Sequence, residues 1–140
     1  MAAIESSILT RELSSHITLM ARDYEQLWGL ARAASNTMPD LASGLMEELE
    51  RAHVLADGRP EQTVCMGYEA EFCDETTKRV QTVTLVYPGE ADISQGKISV
   101  LTPVGTALIG VRVGDSITWE SPTGEVRKLT VLRIREPQPV

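Results

Sequence analysis

Two cysteines, two histidines and twenty acidic residues are the groups from which this 140-residue chain could build a reactive site. Cys65 and Cys73 stand eight positions apart, and no Cys-x-x-Cys occurs. His16 and His53 are not near-neighbours. Zinc sites need closely spaced thiolates or imidazoles, so no metal and no cofactor is expected. On one continuous strand the two cysteines would face the same side, roughly 26 Å apart at about 3.3 Å per residue. A disulfide needs Cα atoms within about 7 Å. Reduced, half-buried thiols are the expectation, and they fit a cytoplasmic protein. Both histidines lie in the half that reads as helical, with no nucleophile placed against them, so no Ser–His–Asp set is arguable. Walker and Rossmann glycine patterns are absent, which leaves kinase chemistry without support.

Charge narrows the partners. The net charge is −7. Residues 1–60 carry nine acids and five bases, and residues 61–140 carry eleven acids and eight bases. An acidic surface repels phosphate backbones, so sequence-specific nucleic-acid binding is disfavoured and a protein partner with a basic surface is compatible. No apolar run approaches the length of about 18 residues that a membrane span needs. Met1 to Thr10 lacks the basic start and apolar stretch of a secretory signal.

The elements that must position any site follow from periodicity. Residues 1–15 read as a tail, and His16 to Met20 as a short extended piece, so 1–21 precede the first regular unit. Tyr24, Leu27, Trp28 and Ala31 fall at i, i+3, i+4 and i+7, predicting a helix over 22–34. Asp23 and Glu25 lie in its first turn, where the helix dipole favours acids, and Trp28 reads as helix packing. Ser35 to Met38 breaks the pattern. Pro39 suits a first helical turn, with Asn36 or Thr37 available as cap. Leu41, Leu45, Leu49 and Ala52 extend a second helix to Val54 or Leu55, ahead of Asp57-Gly58-Arg59-Pro60. Two such helices joined by a short loop pack as an antiparallel hairpin over 22–58.

From Thr63 the period becomes two. Val64 to Phe72 reads as one long strand or a bent pair, Asp74 to Lys78 as a turn, and Val80 to Tyr87 as an interior strand. Ile98 to Leu101 is a third strand. Thr102 suits an N-cap for a short helix, Pro103 to Ile109, with Gly110 as its stop. Ile117 to Glu120 and Glu125 to Arg135 make a last hairpin around Ser121 to Gly124. The fold class is therefore α+β: a helical hairpin followed by an antiparallel sheet with one short helix over 62–136.

One segment carries a longer signature. Residues 89–110 read Gly-Glu-Ala-Asp-Ile-Ser-Gln-Gly-Lys-Ile-Ser-Val-Leu-Thr-Pro-Val-Gly-Thr-Ala-Leu-Ile-Gly. This resembles the C-terminal domain of the Gre-type transcript elongation factors: Glu-Ala-Asp, a spacer, Ile-Ser, then Ser/Thr-Pro, then Leu-Ile-Gly. Val113-Gly114-Asp115 through Pro122-Thr123-Gly124-Glu125 resembles the family's last hairpin. The resemblance implies an FKBP-like sheet domain that docks on the rim of the RNA polymerase secondary channel. It also implies a helical hairpin whose acidic tip holds a catalytic Mg²⁺ and provokes cleavage of backtracked RNA. The short hairpin here is similar to that of the Rnk branch of the family, described as polymerase binders that compete with Gre factors and as regulators of nucleoside diphosphate kinase levels.

The chain departs from the family at the tip. Gre tips carry Asp-x-x-Glu-Asn-(Ala/Ser)-Glu-Tyr, whereas Ala34 to Asp40 offers one acid, Asp40. Glu47, Glu48 and Glu50 lie two or more turns away. A second Mg²⁺ takes one or two well-placed carboxylates. The resemblance places polymerase contact at Leu101, Thr102 and Pro103, with Ser99 as a weaker candidate. Thr102 and Pro103 also serve as cap and first turn of a helix. Glu90 and Asp92 are candidates for pairing with polymerase arginines or for a solvated loop. The expected function is a non-enzymatic RNA polymerase-binding regulator of elongation. The alternatives are a cleavage-stimulating factor acting through Asp40 and an FKBP-like prolyl isomerase, the latter resting on fold analogy alone.

Overall fold

The structure, a computed structural model, describes residues 17–120 and 124–137. The expected tail at 1–15, residue His16 and turn residues 121–123 lie outside the described residues. Strand β1 (Thr18–Met20) runs directly into helix α1 (Ala21–Ala34), which is followed by helix α2 (Pro39–Arg51) and strand β2 (His53–Leu55). Then come β3 (Glu69–Asp74), β4 (Arg79–Val86), β5 (Lys97–Ser99), helix α3 (Pro103–Leu108), β6 (Ser116–Glu120) and β7 (Val126–Arg135). Two short 3-10 turns, Pro88–Glu90 and Ile93–Gln95, lie between β4 and β5.

The chain is a mixed helix-and-sheet fold. Its five-stranded sheet has the order β5-β4-β3-β7-β6, so β4 is interior as its two apolar faces predict. The β3–β4, β3–β7 and β6–β7 pairings are antiparallel. β5 pairs parallel to β4, with Thr84 opposite Lys97 and Val86 opposite Ser99. The expectation of a wholly antiparallel sheet is thereby corrected. Parallel neighbours need a crossover rather than a tight turn, and the two 3-10 turns supply it. A bulge between Glu71 and Phe72 shifts the β3–β7 register and leaves Leu132 outside it, partly exposed.

The second helix ends earlier than its periodicity suggests. Arg51 is its last residue, and His53–Leu55 forms β2, parallel to β1 in a separate two-stranded sheet. The His53 N–H donates to the Ile17 carbonyl at 2.9 Å. Backbone pairing with the N-terminal segment has overridden the apolar spacing, a frequent outcome for a weak local preference. Neither Asn36 nor Thr37 caps α2; Met38 holds the N-cap position without a side-chain bond, and Pro39 opens the helix. The long strand expected from Val64 begins at Glu69 instead. Before it, the Val64 N–H donates to the Val111 carbonyl and Val64 accepts from the Gly110 N–H. Gly67 then turns the chain at φ +84°.

One apolar core joins the elements. Leu27 and Ala31 of α1 and Leu45 and Leu49 of α2 pack in the same cluster as Phe72, Leu85, Val131, Leu108 and Ile109. Burying a leucine of this kind contributes about 1.5–3 kcal/mol. Gly110, at φ +78°, ends the short-helix segment where a Cβ would sit 2.7 Å from the Ile17 Cβ. Only a residue without a side chain lets β1 lie this close.

Candidate docking site

The sequence between Ser99 and Thr106 builds a turn braced by its own hydroxyls. The Ser99 Oγ accepts the Leu101 N–H at 3.0 Å. The Thr102 Oγ1 donates to the Ser99 carbonyl at 2.7 Å and accepts the Gly105 N–H at 3.0 Å. The Thr106 Oγ1 donates to the Val100 carbonyl at 2.8 Å. Thr102 thus caps α3 as its position predicts. Gly105 permits the close approach: a Cβ there would clash with the Ser99 carbonyl and stand 2.8 Å from the Val100 Cα.

The four expected contact residues fall together, but they are not equally presented. Pro103 is exposed, and Ser99 and Thr102 are half-buried. Leu101 is buried in the apolar core, 5% exposed. Its side chain supports the turn from beneath and is not available to a partner. The bracing roles of Gly105 and Thr106 lie beyond the sequence expectations. Their signal is the run Thr-Pro-Val-Gly-Thr, in which a hydroxyl, a helix-starting proline and a side-chain-free position recur within one helical turn.

Asp40 lies on α2, outside this turn. It is exposed, in the first turn of α2. Glu48 is buried and pairs with Arg51 at 2.6 Å, so it is not presented to a metal alongside Asp40. No group of three or more His, Cys, Asp or Glu residues capable of holding a metal occurs among the described residues.

A second polar arrangement joins α1 to the segments that flank β3 and β4. Asp23 is buried, and its Oδ2 accepts the Met66 N–H at 3.2 Å. The Tyr87 hydroxyl donates to the Gln26 Oε1 at 2.9 Å. Burial pushes the Asp23 carboxyl above the usual carboxylate range, against the Met66 amide and the Arg22 charge, which lower it. Burial pushes the Cys65 thiol up to about 12, with the Asp23 charge adding to the effect. A thiol so raised stays protonated and unreactive near neutral pH. Cys65 and Cys73 are both free; Cys73 is half-buried as expected, whereas Cys65 is fully buried. Sequence position marks Asp23 only as a dipole acid; its burial comes with its bond to the Met66 amide, which local pattern does not reveal.

Residues 59–136 match the family described as transcription elongation factor, GreA/GreB, C-terminal domain, and residues 16–55 match the Rnk N-terminus. The chain belongs to the Gre family of transcription elongation factors. Among its Gre-family relatives, the regulator of nucleoside diphosphate kinase from Escherichia coli strain K12 is 41% identical over 95 residues, covering 67% of this chain and 70% of that protein. A transcription elongation factor GreA from Thermodesulfovibrio yellowstonii is 39% identical over 79 residues, covering 56% of this chain and 50% of that one. In three dimensions the chain is similar to a GreA/GreB elongation factor from Nitrosomonas europaea, with TM-score 0.65 and 34% identity over 86% of this chain and 98% of that one. The hydroxyl-braced turn lies within the Gre-matched residues, and β1, α1, α2 and β2 lie within the Rnk-matched ones. No helix among the described residues is long and apolar enough to cross a membrane.

Proposed function

We propose that this Gre-family protein binds RNA polymerase near its secondary channel and modulates elongation, or competes there with Gre factors, without catalysing chemistry itself. The observation that carries the reading is the braced Ser99–Thr106 turn, which presents Pro103 to solvent on a fixed frame inside the Gre-matched region. Ser99, Thr102 and Pro103 form the contact surface and Leu101 holds it up from the core. The sheet part, 62–136, is an FKBP-like unit. The helical part, 22–58, is a short antiparallel hairpin preceded by residues 1–21. The net charge of −7 favours a basic protein surface over nucleic acid or an anionic membrane. Two free thiols agree with a cytoplasmic site of action.

Co-purification with core RNA polymerase tests this, with a Gre factor as positive control and as competitor. Retention of the protein, lost when the Gre factor is added in excess, is the expected result. No retention at micromolar protein overturns the reading.

The exposed carboxylate of Asp40 in the first turn of α2 favours a second reading, stimulation of transcript cleavage. A stalled-complex assay separates the two. Under the first reading RNA shortening is no faster with the protein added, and Asp40→Ala changes nothing. Faster shortening that Asp40→Ala abolishes establishes the second.

A further inference from the structure

We infer that Ile93 is an apolar anchor through which this protein seats on its partner, entering an apolar socket rimmed by basic side chains. The inference rests on the polymerase-docking reading and deepens it. Ile93 is 86% exposed, against 58% for Val126, 56% for Val80, 43% for Met38 and 42% for Leu132.

The turn that carries it is pinned. The Asp92 Oδ1 accepts the Ser94 N–H at 3.1 Å and the Ser94 hydroxyl at 2.6 Å. The Gln95 N–H donates to the Asp92 carbonyl, and the Gly96 N–H to the Ile93 carbonyl, each at 3.0 Å. Gly96 closes the turn at φ +74°. An aliphatic side chain on so fixed a frame loses little further freedom when a partner covers it.

The same turn blocks the alternative mode of recognition. β5 is an edge strand, and an open edge invites another strand. Here the Lys97 N–H and carbonyl are both taken by Asp92, at 2.9 Å each. Recognition at this end of the strand therefore falls to side chains. The local charge sets their complement. Residues 88–96 include Glu90 and Asp92 and no base. Both acids are exposed, and Glu90 makes no ion pair with the described residues. Arginine or lysine around an apolar socket answers this pattern. The Ile93 turn lies at one end of β5 and the Ser99–Pro103 turn at the other. Two residues, Lys97 and Ile98, separate them, and the three steps from Gly96 to Ser99 cover about 10 Å at 3.3 Å per residue. A single partner patch of ordinary size, about 800 Å², spans both.

The test measures affinity for core RNA polymerase with the full chain and Ile93→Asp, Ile93→Ser, Ile93→Leu and Pro103→Ala variants, alongside each variant's thermal unfolding midpoint. Ile93→Asp and Ile93→Ser are expected to weaken binding about tenfold or more, as truncated hot-spot residues do, with midpoints unchanged; Ile93→Leu is expected to bind like the parent. If the parent and both polar variants bind equally, the anchor is overturned; loss in Pro103→Ala alone then leaves the docking reading standing. If Ile93→Ser loses affinity and unfolds earlier in the same measure, Ile93 is structural and the anchor is again overturned. A parent protein that does not bind core polymerase overturns the docking reading and this inference with it.

Discussion

The Thr102 hydroxyl accepts the Gly105 N–H at 3.0 Å, and a Cβ on residue 105 would meet that same oxygen at 2.9 Å. The two positions are therefore matched: the cap forms because the residue three places on has no side chain. We expect Gly105→Ala to destabilise the protein by about 1–3 kcal/mol, the usual range for overpacking, although alanine normally favours a helix over glycine. Thr102→Ala should cost about 1 kcal/mol through the lost cap. Urea denaturation measures both. A Gly105→Ala protein as stable as the parent would remove the basis for the braced turn.

Leu101 and Pro103 separate packing from docking. Leu101→Ala should cost about 2–5 kcal/mol, as buried leucines do, and Leu101→Arg should fail to fold because it buries an unpaired charge. Pro103→Ala should leave the unfolding midpoint close to that of the parent and weaken polymerase binding. Differential scanning calorimetry and a binding titration on the same samples decide. Unaltered binding by Pro103→Ala would show that this residue only starts α3.

Asp23 gives a pH signature. Its carboxyl is raised in the folded state, chiefly by burial, so folding favours the protonated form. Its contribution is fully favourable below the unfolded value, 3.8, and is lost as pH rises through the folded value. The groups facing it are the Met66 amide, Arg22, Cys65 and Tyr87. Asp23→Asn should therefore gain stability relative to the parent as pH rises from 4 to 7. Chemical denaturation at several pH values checks the trend, and a constant difference between the two proteins would refute it.

Asp74 behaves oppositely. The Arg127 guanidinium, 2.8 Å away, and the Thr76 and Thr77 amides hold its carboxyl below the usual range. That contribution is present above 3.8 and is lost as pH falls through the lowered folded value. Asp74→Asn should flatten the acid limb of the stability curve and loosen the β3–β4 turn. Amide exchange at Thr76 and Thr77 reports the second effect directly; exchange as slow as in the parent would argue against it.

How far the sequence discloses this molecule depends on how local each cause is. The helix 21–34, the proline start at 39, the Thr102 cap and the Gly110 stop rest on neighbours a few positions away, and periodicity finds them. β2 depends on a partner strand 35 residues earlier, so its three residues read as the tail of a helix. The parallel seating of β5 depends on how the 88–96 connection folds back, which alternation cannot express. At the candidate site, the family resemblance points to Ser99–Pro103 and residue types give only the cap and helix start, but Leu101 faces inward because the core claims it, and only three dimensions separate it from Pro103.

The pairing of Thr18–Met20 with His53–Leu55 ties a loop shut. Both ends of the helical part are fastened at one place, where a cross-link would also act. Closing a loop of this span costs entropy that grows only slowly with length, yet the contact cannot form until both helices have brought the strands together. The clasp is expected to form after the helices have paired and, because β2 is partly exposed, to open before the five-stranded sheet. Its amides are expected to exchange with solvent before those of β3 and β4, and proteolytic nicking of the helical part should begin at this clasp and leave the sheet intact longest.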